Sequence, residues 1–98
     1  MIVVTVDFIV APENVTAAMA RLQQDRDAVR GMDGNLAFDV FVDASEPQTI
    51  RNSHEWQSPE HLEAYTASDT FKQFGLALRP MMLSPPVSRR MAAQLLES

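Results

Sequence analysis

Polar and apolar residues alternate along several stretches of the chain, and this period of two predicts β-strands. The first strand runs over Ile2–Val10 and is strongly apolar on one face and partly apolar on the other. The second covers Leu36–Asp43 and the third covers Thr49–Trp56. The connection over Asp43–Gln48 is short, which favours an antiparallel hairpin between these two strands. A weaker alternation over Val87–Ala92 predicts a fourth strand.

Apolar residues three and four positions apart predict helices between the strands. The first helix begins at Pro12, which suits a first helical turn, and its apolar stripe runs from Val15 to Val29. Arg21 and Asp25 are four residues apart, and we expect this pair on the solvent side of the helix.

Two more helix starts follow the third strand. Ser58 is a good N-cap for the first of them. A second cap falls at Ser68 or Asp69, and an apolar stripe then continues to Leu78. Pro80 is expected to end this helix because proline lacks the backbone N–H that the helix needs.

The order strand, helix, strand, strand, one or two helices, strand predicts an α+β fold. It is that of a ferredoxin-like split β-α-β domain with a four-stranded antiparallel sheet. We expect one domain over residues 1–98, with its core at about residues 2–92. The helices cover one face of the sheet, and the other face is expected to be apolar and uncovered. A second copy packed sheet to sheet would cover it, so a homodimer is predicted.

Composition restricts the possible functions. The net charge is −5 with only eight basic residues, which argues against a nucleic-acid partner. The chain has no cysteine, so disulfides and thiolate chemistry are excluded. No run reaches the roughly 18–20 apolar residues of a membrane helix. The short apolar N-terminus contains Asp7 and is interpreted as a strand, not as a signal peptide. We expect a cytoplasmic protein without a membrane partner.

The third strand carries the candidate chemistry. Its alternation places Ile50, Asn52, His54 and Trp56 on one face, where a purely structural strand would carry aliphatic residues. Asn52 either satisfies nearby backbone or donates to a substrate oxyanion. His54 is either a hydrogen-bonded core residue or a general base near neutral pH. Trp56 either packs in the core, floors a pocket for a flat ligand, or does both.

Aromatic residues of the predicted helices complete the candidate pocket. Tyr65 is expected to face inward, where its hydroxyl either sits at the rim or contacts a phenolic substrate. Phe71 and Phe74 lie on the apolar stripe, and we expect them to contact the substrate as well. Only three glycines and two histidines occur, and neither a phosphate loop nor a metal motif is formed. We therefore predict neither a cofactor nor a metal.

Several segments resemble the antibiotic biosynthesis monooxygenase (ABM) family. The resemblance covers about Ile2 to Met91 and is carried by Met1–Val6, by the block Trp56–Leu62 with its W-x-S-x-E-x-L pattern, and by Phe71-Lys72. It implies a dimeric α+β barrel with a pocket between sheet and helices. Some members oxygenate anthrones without metal or flavin, whereas others degrade haem or isomerise small metabolites.

Individual positions refine this resemblance. Asn52 and Trp56 reproduce the N-x-x-x-W spacing of the quinone-forming and haem-degrading branches. The haem-degrading branch needs an axial histidine in the helix after this block, and Tyr65 stands there. Haem ligation is therefore not expected.

These observations predict a cofactor-independent monooxygenase that uses dioxygen to oxidise a small phenolic, anthrone-like substrate to a quinone. His54 and Asn52 are the predicted catalytic residues, and Trp56, Tyr65, Phe71 and Phe74 the predicted substrate contacts. Two alternatives use the same residues. One is an isomerase acting on a small carbonyl compound, and the other is a non-catalytic dimeric module that binds a small molecule.

Overall fold

Four strands and three α-helices form the protein, whose computed structural model describes residues 1–96. They occur in the order β1 (Ile2–Ile9), α1 (Val15–Arg30), β2 (Asn35–Val42), β3 (Thr49–Trp56), α2 (Pro59–Thr66), α3 (Asp69–Leu78) and β4 (Val87–Ala92). The predicted elements are all present. The sequence pattern did not settle the C-terminal tail, and Glu97 and Ser98 at its end lie outside the described residues.

The strands form one antiparallel sheet in the order β2-β3-β1-β4. Because β1 and β3 occupy the two central positions, the register of these strands fixes which side chains are neighbours across the sheet. Val4 of β1 is paired with His54 on one side and with Arg90 of β4 on the other. Val6 is paired in the same way with Asn52 and Ser88. The predicted α+β, ferredoxin-like fold is confirmed.

Two proline-containing turns differ from the predicted helix boundaries. Pro12–Asn14 forms a 3-10 turn, and the α-helix begins only at Val15. Arg79–Met81 forms a second 3-10 turn, so the chain continues to coil for one turn beyond the end of α3. A single turn of 3-10 helix accommodates proline because little of the helical hydrogen-bond ladder is required there.

Helix α1 packs on the sheet through Ala18, Leu22 and Val29, which are buried. Asp25 is buried on the same face, so its predicted place on the solvent side is wrong. Its Oδ2 lies 3.4 Å from Nε of Arg21, and this ion pair offsets part of the cost of burying the carboxylate.

The core has two adjoining parts between sheet and helices. One surrounds Phe8, Leu22 and Phe74, and the other surrounds Phe38 and Trp56. Asn52 and His54 are only 2 % and 4 % exposed. The helix-facing side of β3 is therefore part of the core and carries polar groups inside it.

The opposite face of the sheet is open in the single chain, as expected, but its predicted apolar character is wrong in part. Near the middle of this face, Arg51 forms a two-point ion pair with Asp7, with N–O distances of 2.7 and 3.0 Å. Phe41, Val87 and Met91 are exposed apolar residues on the same face. Charged and apolar side chains are thus mixed on this surface.

Within residues 1–96, no helix is both long enough and apolar enough to cross a bilayer.

Candidate functional site

A pocket of about 260 Å³ lies between the helix-facing side of the sheet and helices α2 and α3. Apolar and aromatic side chains form most of its wall, and a few polar groups converge on it. Both features are typical of small-molecule sites. The lining residues are Val4, Val6, Phe8, Asn52, His54, Leu62, Tyr65, Thr66, Phe71, Phe74, Gly75, Arg79, Met82, Pro86, Ser88 and Arg90.

Five of the six predicted site residues line this pocket: Asn52, His54, Tyr65, Phe71 and Phe74. Trp56, the sixth, is fully buried behind them and does not line it. Its ring stacks on Tyr65 with the centroids 5.0 Å apart, and Tyr65 in turn meets Phe71 edge to face at 5.3 Å. The indole therefore supports the pocket wall instead of forming its floor.

A hydrogen bond from Trp56 orients the His54 ring. The indole Nε1–H donates to Nδ1 of His54 at 2.7 Å, and both groups are buried. Since Nδ1 accepts, the neutral imidazole carries its hydrogen on Nε2. Burial, together with the positive charge of Arg90, lowers the pKa of His54 from 6.5 to about 4. His54 consequently presents a neutral N–H donor at its free ring edge.

Tyr65 contributes a phenol that keeps its proton. Burial, and secondly the negative charge of Asp25, raise the pKa of Tyr65 well above its ordinary value. The ring also contacts His54 edge to face, with 5.5 Å between centroids. Its hydroxyl therefore keeps its proton at neutral pH.

The Asn52 amide is held by the neighbouring edge strand. Its Nδ2 donates to the carbonyl oxygen of Asp39 at 3.1 Å. Within residues 1–96 this is the one protein hydrogen bond of that side chain. One amide hydrogen and Oδ1 are therefore left for a ligand, in an orientation that the Asp39 contact fixes.

Two arginines of the pocket were not predicted as site residues. Arg79 directly follows α3, where a cation is favourable because the C-terminal end of a helix is electronegative. Arg90 belongs to β4, where every residue is exposed in the single chain. A usable signal was present in β4, because strand alternation places Arg90 on the same face as Ser88. The sequence does not show that β4 pairs with β1. This pairing places the face of β4 that carries Arg90 beside the face of β3 that carries His54.

No cluster of three or more His, Cys, Asp or Glu side chains suited to a metal ion is found among residues 1–96.

Comparison with known proteins identifies the family. The family model for antibiotic biosynthesis monooxygenases matches residues 1–75, and the chain belongs to this family. No curated protein matches the sequence.

Solved structures confirm the fold. A candidate antibiotic biosynthesis monooxygenase from Deinococcus radiodurans is similar, with a TM-score of 0.92 and 18 % identity over 100 % of this chain and 97 % of that one. Rv0793 from Mycobacterium tuberculosis gives a TM-score of 0.90 and 18 % identity, covering 99 % and 98 %. A conserved protein from Methanosarcina mazei gives 0.90 and 19 %, covering 95 % and 92 %. At these identities the likeness extends to the fold alone.

Proposed function

We propose that this protein is a cytoplasmic, cofactor-independent monooxygenase that converts a small phenolic, anthrone-like substrate and dioxygen into a quinone and water. Membership of the monooxygenase family supports the reaction class. The observation that carries the proposal is an aromatic-walled pocket that Asn52, His54 and Tyr65 all line, with the His54 ring oriented by Trp56. The absence of cysteine is compatible with a reducing compartment.

The proposed chemistry begins with ionisation of the substrate. A phenol or anthrone loses its acidic proton to solvent, and hydrogen-bond donors and nearby arginines stabilise the anion in the pocket. The electron-rich anion passes one electron to dioxygen, and the resulting substrate radical and superoxide combine to form a carbon–oxygen bond. Protonation gives a hydroperoxide, which breaks its O–O bond and loses water to leave the new carbonyl.

In this scheme His54 stabilises negative charge as a donor. The sequence pattern predicted a general base, but Trp56 occupies the lone pair of Nδ1 that a base would use. A neutral imidazole N–H can polarise an oxyanion without carrying a charge itself, as in other enzymes whose histidine pKa is depressed. Asn52 would hold the same oxygen or the neighbouring one, and Tyr65 the opposite edge of the ring.

Oxygen uptake with dithranol and with 1-naphthol tests this proposal. We expect the wild type to turn over at least one of these two substrates, with one atom of ¹⁸O₂ in the quinone. Asn52→Ala should lower the rate by about 10²-fold, the magnitude typical of losing one oxyanion donor. His54→Gln, which keeps an N–H donor but cannot act as a base, should retain more activity than His54→Ala.

The possible outcomes separate the alternatives. Rates equal to buffer for the wild type with both substrates would refute the oxygenase. Product formation under argon from a carbonyl substrate would instead support an isomerase. A ligand that raises the Tm without being changed would support a binding module.

We also propose that the protein is a homodimer joined through the open faces of the two sheets. Phe41, Val87 and Met91 expose apolar surface there, and Asp7 and Arg51 satisfy each other's charge and so can be covered at reduced cost. The arrangement is consistent with sheet-on-sheet packing across a two-fold axis.

Light scattering tests the dimer with a matched pair of variants. Phe41 is 55 % exposed on the open face, and Leu76 is 61 % exposed on α3. We expect Phe41→Glu to convert a dimer into a monomer because it places two unpaired carboxylates in the interface. Leu76→Glu should leave the dimer intact. A monomeric wild type at micromolar concentration, or equal masses for both variants, would contradict the proposed dimer.

A further inference from the structure

The charge of the pocket is opposite to that of the whole protein. The chain has a net charge of −5, yet the ionic side chains lining the pocket are Arg79 and Arg90, and its lining includes neither Asp nor Glu. Eight basic residues occur in the chain, and two of them are placed at this pocket. Both arginines are exposed in the single chain and also border the pocket, so a ligand that enters it meets positive charge.

The sheet register sets the distance between the donors. His54 and Arg90 are both paired with Val4, which lies between them. Neighbouring strands are about 4.8 Å apart, so the two backbones are separated by about 10 Å. Both side chains rise from the same face of the sheet. The space above Val4 is therefore bordered by an imidazole N–H on one side and a guanidinium on the other.

These two groups offer hydrogens and no acceptor. The Nδ1 of His54 is engaged by Trp56, so its Nε2–H is the edge that remains. A guanidinium has five N–H donors and no acceptor. A ligand group that fits between them must accept on two sides. A carboxylate does so with two oxygens and a matching charge. A neutral carbonyl can accept two hydrogen bonds but does not match the charge, and an ammonium group cannot accept at all.

The remainder of the pocket limits the size and polarity of the ligand. Beyond Val6, the wall is formed by Phe8, Phe74 and Met82, which accept an aromatic or aliphatic body. The volume of about 260 Å³ lies below the usual range of about 300–1,000 Å³ for drug-sized ligands. One or two rings are therefore favoured over a polycycle.

We propose that the pocket takes an aromatic carboxylate of one or two rings, with its carboxylate between Arg90 and His54 and its ring against Phe8 and Phe74. This narrows the substrate class of the proposed oxygenase to phenols that carry an acid group. In such a substrate the His54 N–H would hold the carboxylate, and Asn52 and Tyr65 would be left for the reacting oxygen. The proposal rests on that function only for turnover, because binding can be measured without oxygen chemistry.

Titration calorimetry with 1-naphthoate, benzoate and 1-naphthamide tests the assignment. The acid and the amide of naphthalene have nearly the same shape and differ in charge. We expect 1-naphthoate to bind at least about tenfold more tightly than 1-naphthamide, as a charge-assisted hydrogen bond implies. Benzoate should bind more weakly than 1-naphthoate because it buries less apolar surface.

Variants assign the effect to Arg90. Arg90→Gln should weaken 1-naphthoate binding by about tenfold to 100-fold and leave 1-naphthamide unchanged. Arg90→Lys keeps the charge and should retain part of the affinity. Lys72→Gln is the control. It changes the net charge by the same amount as Arg90→Gln, and Lys72 is an exposed residue of α3 that does not line the pocket. Its affinity for 1-naphthoate should equal that of the wild type.

Three results would overturn the proposal. They are equal affinity for the acid and the amide, equal acid affinity in Arg90→Gln and Lys72→Gln, and no binding of either acid. Failure of the oxygenase proposal is distinguishable, because it would leave charge-selective binding in place while oxygen uptake stayed at the buffer rate.

Discussion

Replacing Gly34 with alanine is expected to destabilise the protein by about 2–4 kcal/mol, combining a left-handed backbone with steric overlap. Gly34 has φ +79°, a conformation that costs an L-residue energy. A Cβ at this position would also overlap the imidazole of His61. Both effects act at the turn between α1 and β2, where the Gly34 carbonyl accepts the backbone N–H of Gln57 at 2.8 Å.

The His61 ring cannot move aside without losing contacts at the start of α2. Its Nδ1 lies 2.7 Å from Oγ of Ser58, the N-cap of that helix, and its Nε2 lies 3.4 Å from Oδ2 of Asp33. An added methyl group at Gly34 therefore disturbs the capping of α2 as well as the turn. Loss of an N-cap contact typically costs about 1 kcal/mol.

Gly31 provides the control in the same turn. It has φ −82° and ψ −6°, which any residue adopts, and a Cβ there would be 3.5 Å from its nearest neighbour. Gly31→Ala should leave the free energy of unfolding unchanged or raise it by about 0.5 kcal/mol, because the unfolded chain loses freedom.

Urea denaturation of the two variants measures the difference. Adding His61→Ala to Gly34→Ala should recover the part of the loss that comes from overlap, while the backbone part remains. Equal stabilities for Gly31→Ala and Gly34→Ala would show that the turn tolerates a side chain and that this interpretation is wrong.

The face of β3 could be predicted because it depends only on local alternation. Asn52, His54 and Trp56 are two residues apart, so a strand must place them together whatever its neighbours are. The hydrogen bond between Trp56 and His54 could not be predicted in this way. It depends on the rotamers of both rings, which packing by Tyr65 and Phe38 sets.

Long-range pairing explains what the sequence pattern missed. Arg90 becomes a pocket residue only because β4 pairs with β1, a contact between the two ends of the chain. Asp25 was assigned to solvent from its spacing to Arg21, but its spacing to Leu22 and Val29 places it on the buried stripe. A charged pair four residues apart indicates that the two side chains are close together. It does not indicate which side of the helix is exposed to solvent.

Lowering the pH from 7 to 4 is expected to cost about 3 kcal/mol of stability through His54 alone. The difference between a folded pKa of about 4 and an unfolded value near 6.5 corresponds to this free energy. Between these values the unfolded chain binds the proton and the folded protein does not. The stabilisation that comes from the neutral His54 is therefore fully present above about pH 6.5. It is lost progressively as the pH falls towards 4.

This pH range separates His54 from the Asp7–Arg51 ion pair. The hydrogen bond and charge of Arg51 lower the pKa of Asp7 from 3.8, so the stabilisation by that pair is lost only at still lower pH. His54→Gln removes the titrating group and keeps an amide N–H towards the pocket. We expect the variant to show a nearly flat free energy of unfolding between pH 6.5 and 4.5, where the wild type slopes.

Denaturant titrations at half-unit steps of pH measure how the free energy of unfolding changes with pH in the wild type and in His54→Gln. Nitrogen NMR of the imidazole identifies the tautomer. The wild type should show a protonated Nε2 and an unprotonated Nδ1 down to about pH 5. Trp56→Phe removes the donor to Nδ1, so the two tautomers should mix and the nitrogen shifts should converge. An imidazole that titrates near pH 6.5 in the folded wild type would contradict the assignment. It would return His54 to the role of a base, because its lone pair would then be open to a proton at neutral pH.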